Sequence, residues 1–232
     1  VIGVHSPEFD FEHDPANVQE AIGRSGVTYP VAMDSRLATW NAWDNQYWPA
    51  EYLIDRDGRL IGHHYGEGGY DKMENAIRLL LGLDMQAPGN AAGVFKPGMG
   101  DTPELHLGST GRQGFGNAES ASDGTRRFSL PAQLPLHQFA LAGQWEITRQ
   151  YARSVGGELE LQLRFKAAKL YLVASAEHAM PLEVTVDGQP QATVTVQGSR
   201  LYTLFDSSDD REHLLRLRIP QAGLRVYSFT FG

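Results

Sequence analysis

The sequence contains no cysteine. That absence excludes disulfides, cysteine-based metal sites and any cysteine nucleophile within these 232 residues, and it removes the usual clue to redox compartment. Also missing are an apolar run near the roughly 20 residues needed to cross a bilayer and a basic, signal-like start. Basic residues are scarce in the first half. Of the 28 acids and 20 Lys and Arg in the chain, residues 1–85 hold 14 and 6, net −8, which leaves 14 of each for residues 86–232. An acidic first half argues against nucleic acid as a partner, and against an anionic membrane surface, because both need a Lys/Arg footprint.

What is present is an ordinary globular composition, 41% hydrophobic and 21% charged. At 232 residues, two domains are the natural expectation. The chain begins abruptly at Val1-Ile2-Gly3-Val4, which reads as a buried parallel strand. Asp14-Pro15 opens a helix with its apolar face at Val18, Ala21 and Ile22, and Gly26 ends it. A second short strand spans residues 29–34, and residues 35–43 read as a short helix carrying Leu37 and Trp40. Strands at 51–54 and 60–65 flank an Asp57-Gly58 turn, and a helix over 70–83 places Met73, Ala76, Ile77, Leu80 and Leu81 on one face. This is an α/β layer.

Residues 85–103 are rich in Gly, Pro and Ala and read as a linker. Beyond them the period becomes two. Leu159, Leu161, Leu163 and Phe165 alternate with polar residues, as do Leu182, Val184 and Val186, and further strands are expected at 194–196, 201–205, 214–219 and 224–231. Asp187-Gly188 has the composition of a hairpin turn. Many short alternating strands predict a β-sandwich or jelly roll. The expected division is therefore 1–84, a linker at 85–103, and 104–232, in the class α/β plus all-β.

One stretch concentrates unusual chemistry. Residues 40–58 hold three of the four tryptophans, with Tyr47, Tyr52 and Pro49. A proline directly before a strand, preceded by a large aromatic, marks Trp48-Pro49 as a candidate cis bond. Trp40, Trp43 and Tyr47 read as packing and rim residues. Glu67 can be read as a proton-transfer carboxylate or as a solvated loop acid. His63 and His64 point to opposite faces of one strand and cannot serve one ion together. The residues 66–69 lack the lysine and the spacing of a phosphate loop. In the second half, Trp145, Tyr171, Tyr202 and Tyr227 are either core aromatics or a platform for a sugar ring, with Trp145 and Tyr202 as the platform candidates. The acidic run 206–210 reads as a solvated loop, with calcium as the other reading.

These residues carry a resemblance. Val1-Ile2-Gly3-Val4, Tyr29-Pro30-Val31, Trp48-Pro49-Ala50, the run Tyr52 to Gly58 and the closing helix resemble the C-terminal part of a thioredoxin fold of the redoxin branch, the TlpA- and ResA-like proteins. The run N-x-Y-W-P-A-x-Y-L-I-D and the segment His64 to Tyr70 look most like the DipZ-type proteins, with one extra glycine at 68–69. Residues 103–109, 142–145 and 227–232 resemble the C-terminal module of the same family.

The resemblance implies an extracytoplasmic, membrane-tethered thiol:disulfide oxidoreductase acting in cytochrome c biogenesis or periplasmic reductant transfer, with no cofactor. It also implies a CcdA-like membrane domain in the same parent chain, then a thioredoxin-like domain and a galactose-binding-like, carbohydrate-binding-module-like sandwich. By the same resemblance Trp48, Pro49, Tyr47 and Glu67 line a groove for a redox partner protein. The exchanging Cys-x-x-Cys is expected upstream of Val1, so this chain alone is expected to be inactive, with an exposed sheet edge or gap. The rival reading is a non-catalytic glycan- or protein-binding module carried by the sandwich.

Overall fold

The computed structural model describes residues 1–66, 70–84 and 102–232. The expected linker falls almost wholly outside them, and so does Glu67. The chain forms two compact units, within Val1–Gly98 and Met99–Gly232.

In the first unit β1 (Gly3–His5) pairs in parallel with β2 (Val31–Met33). Between them, α1 (Pro15–Arg24) starts where the sequence places it. The Asp14 carboxylate accepts the Ala16 N–H at 2.9 Å, and Pro15 occupies the first helical turn, where its missing N–H costs nothing. The helix expected over 35–43 is shorter, α2 (Ala38–Ala42), because Leu37 turns left-handed at φ 55°. β3 (Ala50–Ile54) and β4 (Leu60–Tyr65) form an antiparallel hairpin. Its turn is held by Asp55, whose carboxylate accepts the N–H groups of Asp57 and Arg59. α3 (Tyr70–Leu80) follows, three residues shorter than expected.

The two strand pairs of this unit form separate sheets among the described residues. Its buried apolar residues there are Pro7, Phe9 and Val18, while Val1, Ile2, Val4, Ile77, Leu80 and Leu81 are exposed. The apolar face expected for α3 is thus largely open.

The second unit is rich in strand, as the period-two pattern requires. Its strands are β5 (Leu105–His106), β6 (Gly124–Phe128), β7 (Gln138–Ile147), β8 (Ala152–Lys166), β9 (Lys169–Val186), β10 (Gln189–Pro190), β11 (Val194–Asp206), β12 (Glu212–Ile219) and β13 (Arg225–Phe231). They join in one sheet with the backbone order β5-β13-β9-β12-β8-β7-β6, with β10 and β11 also on β9.

The strands are longer than expected, 15 residues in β8 and 18 in β9. They bend at irregularities instead of stopping. Between Ala176↔Gly198 and Val196↔Met180, β9 advances four residues while β11 advances two, and the bulged residues Glu177, His178 and Ala179 break the alternation on the exposed side. The bend lets β9 pair with β13 through Leu170–Ser175 and with β12 through Glu183–Val186. The segments expected as separate strands at 194–196 and 201–205 are one strand for the same reason.

Inward side chains from both limbs of the bent sheet share one core, among them Leu161, Leu163, Leu215 and Leu217 on one limb and Leu172, Ala174, Val226 and Phe229 on the other. Asp187 and Gly188, at φ 52° and 77°, form the tight turn read from their sequence.

Candidate functional site

The site starts from the end of β1. Ser6 and Asp34 follow β1 and β2, whose parallel pairing sets the two residues side by side. The Ser6 hydroxyl donates to Asp34 Oδ2 at 3.1 Å. Asp34 is buried, and its carboxylate also accepts the N–H groups of Thr39 at 2.9 Å and Trp40 at 2.8 Å, so it fastens the first turn of α2. Desolvation alone would raise its pKa. The hydrogen bonds from Thr39, Trp40, Ser6 and Ala38 together overcome that and hold the carboxyl below its ordinary value.

With α2 fixed, Trp40 is fixed, and the Trp48 ring lies on it with centroids 4.1 Å apart. The Trp48 indole N–H then donates to the Ser6 carbonyl at 3.1 Å. Asp34, Ser6, Trp48 and Trp40 thus close a ring of contacts across four segments.

On the other side, residues 43–47 lie over one face of the hairpin. Trp43 packs on Tyr52 at 4.7 Å and Tyr47 on Tyr65 at 5.5 Å, with His63 4.7 Å from Tyr65. The Tyr52 hydroxyl donates to Asn45 Oδ1 at 3.0 Å, and burial with the Tyr65 contact pushes its pKa up to about 12. Glu51 and His64 pair on the opposite face of the hairpin.

The Trp48–Pro49 peptide bond is cis. Trp48 is 49% exposed and Tyr47 55%, so anchored aromatic rings form a ledge on the surface. The Pro49 carbonyl accepts the Gly66 N–H at 2.8 Å, whereas neither the N–H nor the C=O of Trp48 has a main-chain partner among the described residues. Such a ledge can receive extended backbone, and it contains no thiol of its own.

Of the expected groove residues, Tyr47, Trp48 and Pro49 lie together here, and Glu67 lies outside the described residues. Sequence reasoning missed Ser6, Asp34 and Asn45. Their signal is positional: a hydroxyl and a carboxylate each directly follow a short apolar strand, before a helix start.

The sugar platform is corrected. Trp145 is fully buried, with its indole N–H on the Ala142 carbonyl at 2.8 Å. Tyr202 is 5% exposed and its hydroxyl is spent on the Gln197 and Gly198 carbonyls. Neither ring can stack on a sugar, because the two-residue period turns both toward the core. A second polar arrangement went unread: buried His213 holds Asp187 Oδ2 through Nδ1 at 2.8 Å, while Asp187 Oδ1 accepts the Leu214 N–H. Burial opposes ionisation of Asp187, yet the Leu214 N–H, His213 and Arg211 together keep its carboxyl below the ordinary value.

Comparison with known proteins gives the setting. The chain is 33% identical over its full length to Protein DipZ of Mycobacterium tuberculosis and spans 34% of that protein, about a third of its length. It is 31% identical over 81 residues, 35% of this chain and 55% of the relative, to the Thiol-disulfide oxidoreductase YkuV of Bacillus subtilis. Among solved structures, a family two carbohydrate esterase from Clostridium thermocellum in complex with cellohexaose covers 36% of this chain and 27% of its own, at 16% identity and a TM-score of 0.34, too slight a likeness to carry an argument. The model described as Thioredoxin like C-terminal domain matches residues 102–232. The chain therefore belongs to the thioredoxin-like C-terminal domain family, as a DipZ-type region.

Proposed function

We propose that the first unit is the partner-facing wall of a thiol:disulfide exchange site, in an extracytoplasmic, membrane-tethered DipZ-type parent that serves cytochrome c biogenesis or periplasmic reductant transfer. The observation that carries this reading is the anchored ledge at Tyr47, Trp48 and Pro49. The main-chain groups of Trp48 suit an added extended segment of a redox partner protein, and Pro49 presents no N–H beside the reacting sulfurs.

The chain has no thiol, so the dithiol is supplied from outside it, by a Cys-x-x-Cys segment of the parent. One thiolate attacks a sulfur of the partner's disulfide, and a mixed disulfide forms as the other partner sulfur leaves. The second thiol then attacks that bridge. The partner gains two electrons and two protons, and the dithiol becomes a disulfide. The CcdA-like membrane domain of the parent would return those electrons.

The test is insulin reduction by the complete soluble region with its dithiol. Turnover that is lost in a Cys-to-Ser variant and lowered by Trp48→Ala is the expected result. No turnover from a verified dithiol-containing protein would overturn the reading.

For the second unit we infer a galactose-binding-like jelly roll that acts as a glycan- or protein-binding module. Its support is a groove of about 700 Å³ with a mixed polar lining on the outward face of the sheet. Calorimetry of the chain against glycans and peptides tests this, and flat isotherms throughout would remove it.

A further inference from the structure

On β8 the outward side chains Glu160, Gln162 and Arg164 alternate with the core residues Leu161, Leu163 and Phe165. On β12, paired antiparallel to β8, Leu214 lies opposite Arg164 and Arg216 opposite Gln162. The outward face of two neighbouring strands is normally a solvated surface. Here the segment 130–134 stands beside it as a wall of Leu130, Pro131 and Leu134, and together they line an open groove of about 700 Å³. That volume is in the range of small-ligand sites.

The floor is unusual. Gln162 is only 8% exposed, although it points away from the core. Its amide donates to Glu160 Oε1 at 2.8 Å, and its carbonyl oxygen has no partner among the described residues. Arg164 holds Glu212 at 2.9 Å. The Arg216 guanidinium has no ion pair and no hydrogen bond among the described residues. At one end Asp187 is locked by His213 and by the Leu214 N–H, which fixes the backbone of β12 where it enters the groove.

Charge and chemistry select the ligand. The lining carboxylates of Glu160, Asp187 and Glu212 stand among the lining arginines Arg164 and Arg216, and Arg211, outside the lining, pairs with Asp187 at 3.2 Å. A lining that mixes three carboxylates with two guanidinium groups gives a polyanion no advantage. Amide, carboxylate and guanidinium groups side by side offer donors and acceptors in alternation. A hydroxyl, which is both donor and acceptor, satisfies such a pattern. The apolar wall of Leu130, Pro131 and Leu134 suits the C–H face of a pyranose ring.

We propose that this groove, floored by Gln162, Arg164 and Arg216 and walled by residues 130–134, binds a neutral oligosaccharide. The proposal rests on the glycan-binding reading of the second unit and adds the site and the ligand class.

The experiment is calorimetry and amide NMR on the full 232-residue chain. The probes are neutral hexasaccharides of glucose, xylose, mannose, galactose and arabinose, with an oligogalacturonate and an extended acidic peptide beside them. The expected result is binding of at least one neutral oligosaccharide, with amide shifts centred on Gln162, Leu214 and Arg216. Arg216→Ala and Gln162→Ala should each weaken it about tenfold, the loss that follows from removing one or two polar contacts, with an unchanged melting temperature.

Three results overturn the proposal. Sugar binding that survives both substitutions, with shifts elsewhere, removes this groove and leaves the glycan-binding module standing. Preference for the uronate or the peptide removes the ligand class. Flat isotherms for every sugar remove both the groove and the glycan reading.

Discussion

The Trp48 indole N–H reaches across 42 positions of sequence to the Ser6 carbonyl, 3.1 Å away, and this bond aims the exposed ring. Trp48→Phe keeps the aromatic stack on Trp40 and removes the donor. The expected cost is about 1 kcal/mol or less for one partly exposed hydrogen bond, with a several-fold fall in partner turnover by the dithiol-containing parent. Urea unfolding and insulin-reduction kinetics check the two halves. A variant with unchanged turnover would show that the ring's aim does not matter.

Asp34 gives this unit an acid limb. Its folded-state pKa is lowered, so an unfolded chain binds the proton more readily. The stabilisation is complete above the unfolded-state value near 3.9 and disappears as the pH falls through the lower folded-state value. Asp34→Asn should remove that limb and expose the α2 amides, first those of Thr39 and Trp40, to hydrogen exchange. Hydrogen-exchange rates measured on both proteins between pH 3 and 6 decide it.

Tyr52 acts at the opposite end of the scale. Its folded pKa is pushed up to about 12 from 10.0, so its contribution is whole below pH 10 and is lost as the pH rises through 12. Spectrophotometric titration of the phenols should show one late group. Tyr65→Phe removes one named cause of the shift, the Tyr52 to Tyr65 hydroxyl contact, and should bring that group's titration to lower pH.

Trp145 and Gly143 test the second unit's core. Trp145→Ala empties a fully buried site and should cost about 3–5 kcal/mol in urea unfolding. Gly143 stands at φ 91°, and an added Cβ would lie 2.7 Å from the Glu158 carbonyl oxygen. Gly143→Ala should therefore destabilise by about 1–3 kcal/mol, while Gly62→Ala, with nothing near its Cβ position, should be nearly silent.

Local chemistry made much of this legible in advance. Asp14-Pro15 announced α1, Asp187-Gly188 announced its turn, and the period of two announced β8, the later part of β9, β11, β12 and β13, while β5, β6, β7 and β10 went unannounced. Where a bulge or a left-handed residue intervened, the reading failed. Leu37 shortened α2, and the bulge at 177–179 of β9 let β11 run through two segments expected as separate strands, because neither feature has a strong sequence signature in a non-glycine run. The site was read in its aromatics and missed in its polar supports. Ser6 and Asp34 meet only because β1 and β2 pair across 28 residues, a contact that no local pattern encodes. Trp145 and Tyr202 were offered as a platform although their alternation already pointed them inward.

The position of β13 has a consequence for biosynthesis. It lies between β5 and β9, and Gly232 and Lys169 exchange main-chain hydrogen bonds at 2.6 and 3.1 Å. During translation, β9 is therefore made some 50 residues before its neighbour exists, and no core can seal until residues 225–231 have cleared the ribosome. Throughout that interval the nascent chain carries an unsatisfied strand edge, the kind of edge that recruits chaperones or pairs with the wrong chain. A truncation or frameshift between residues 102 and 225 should leave the second unit as an aggregating product, not a smaller folded one.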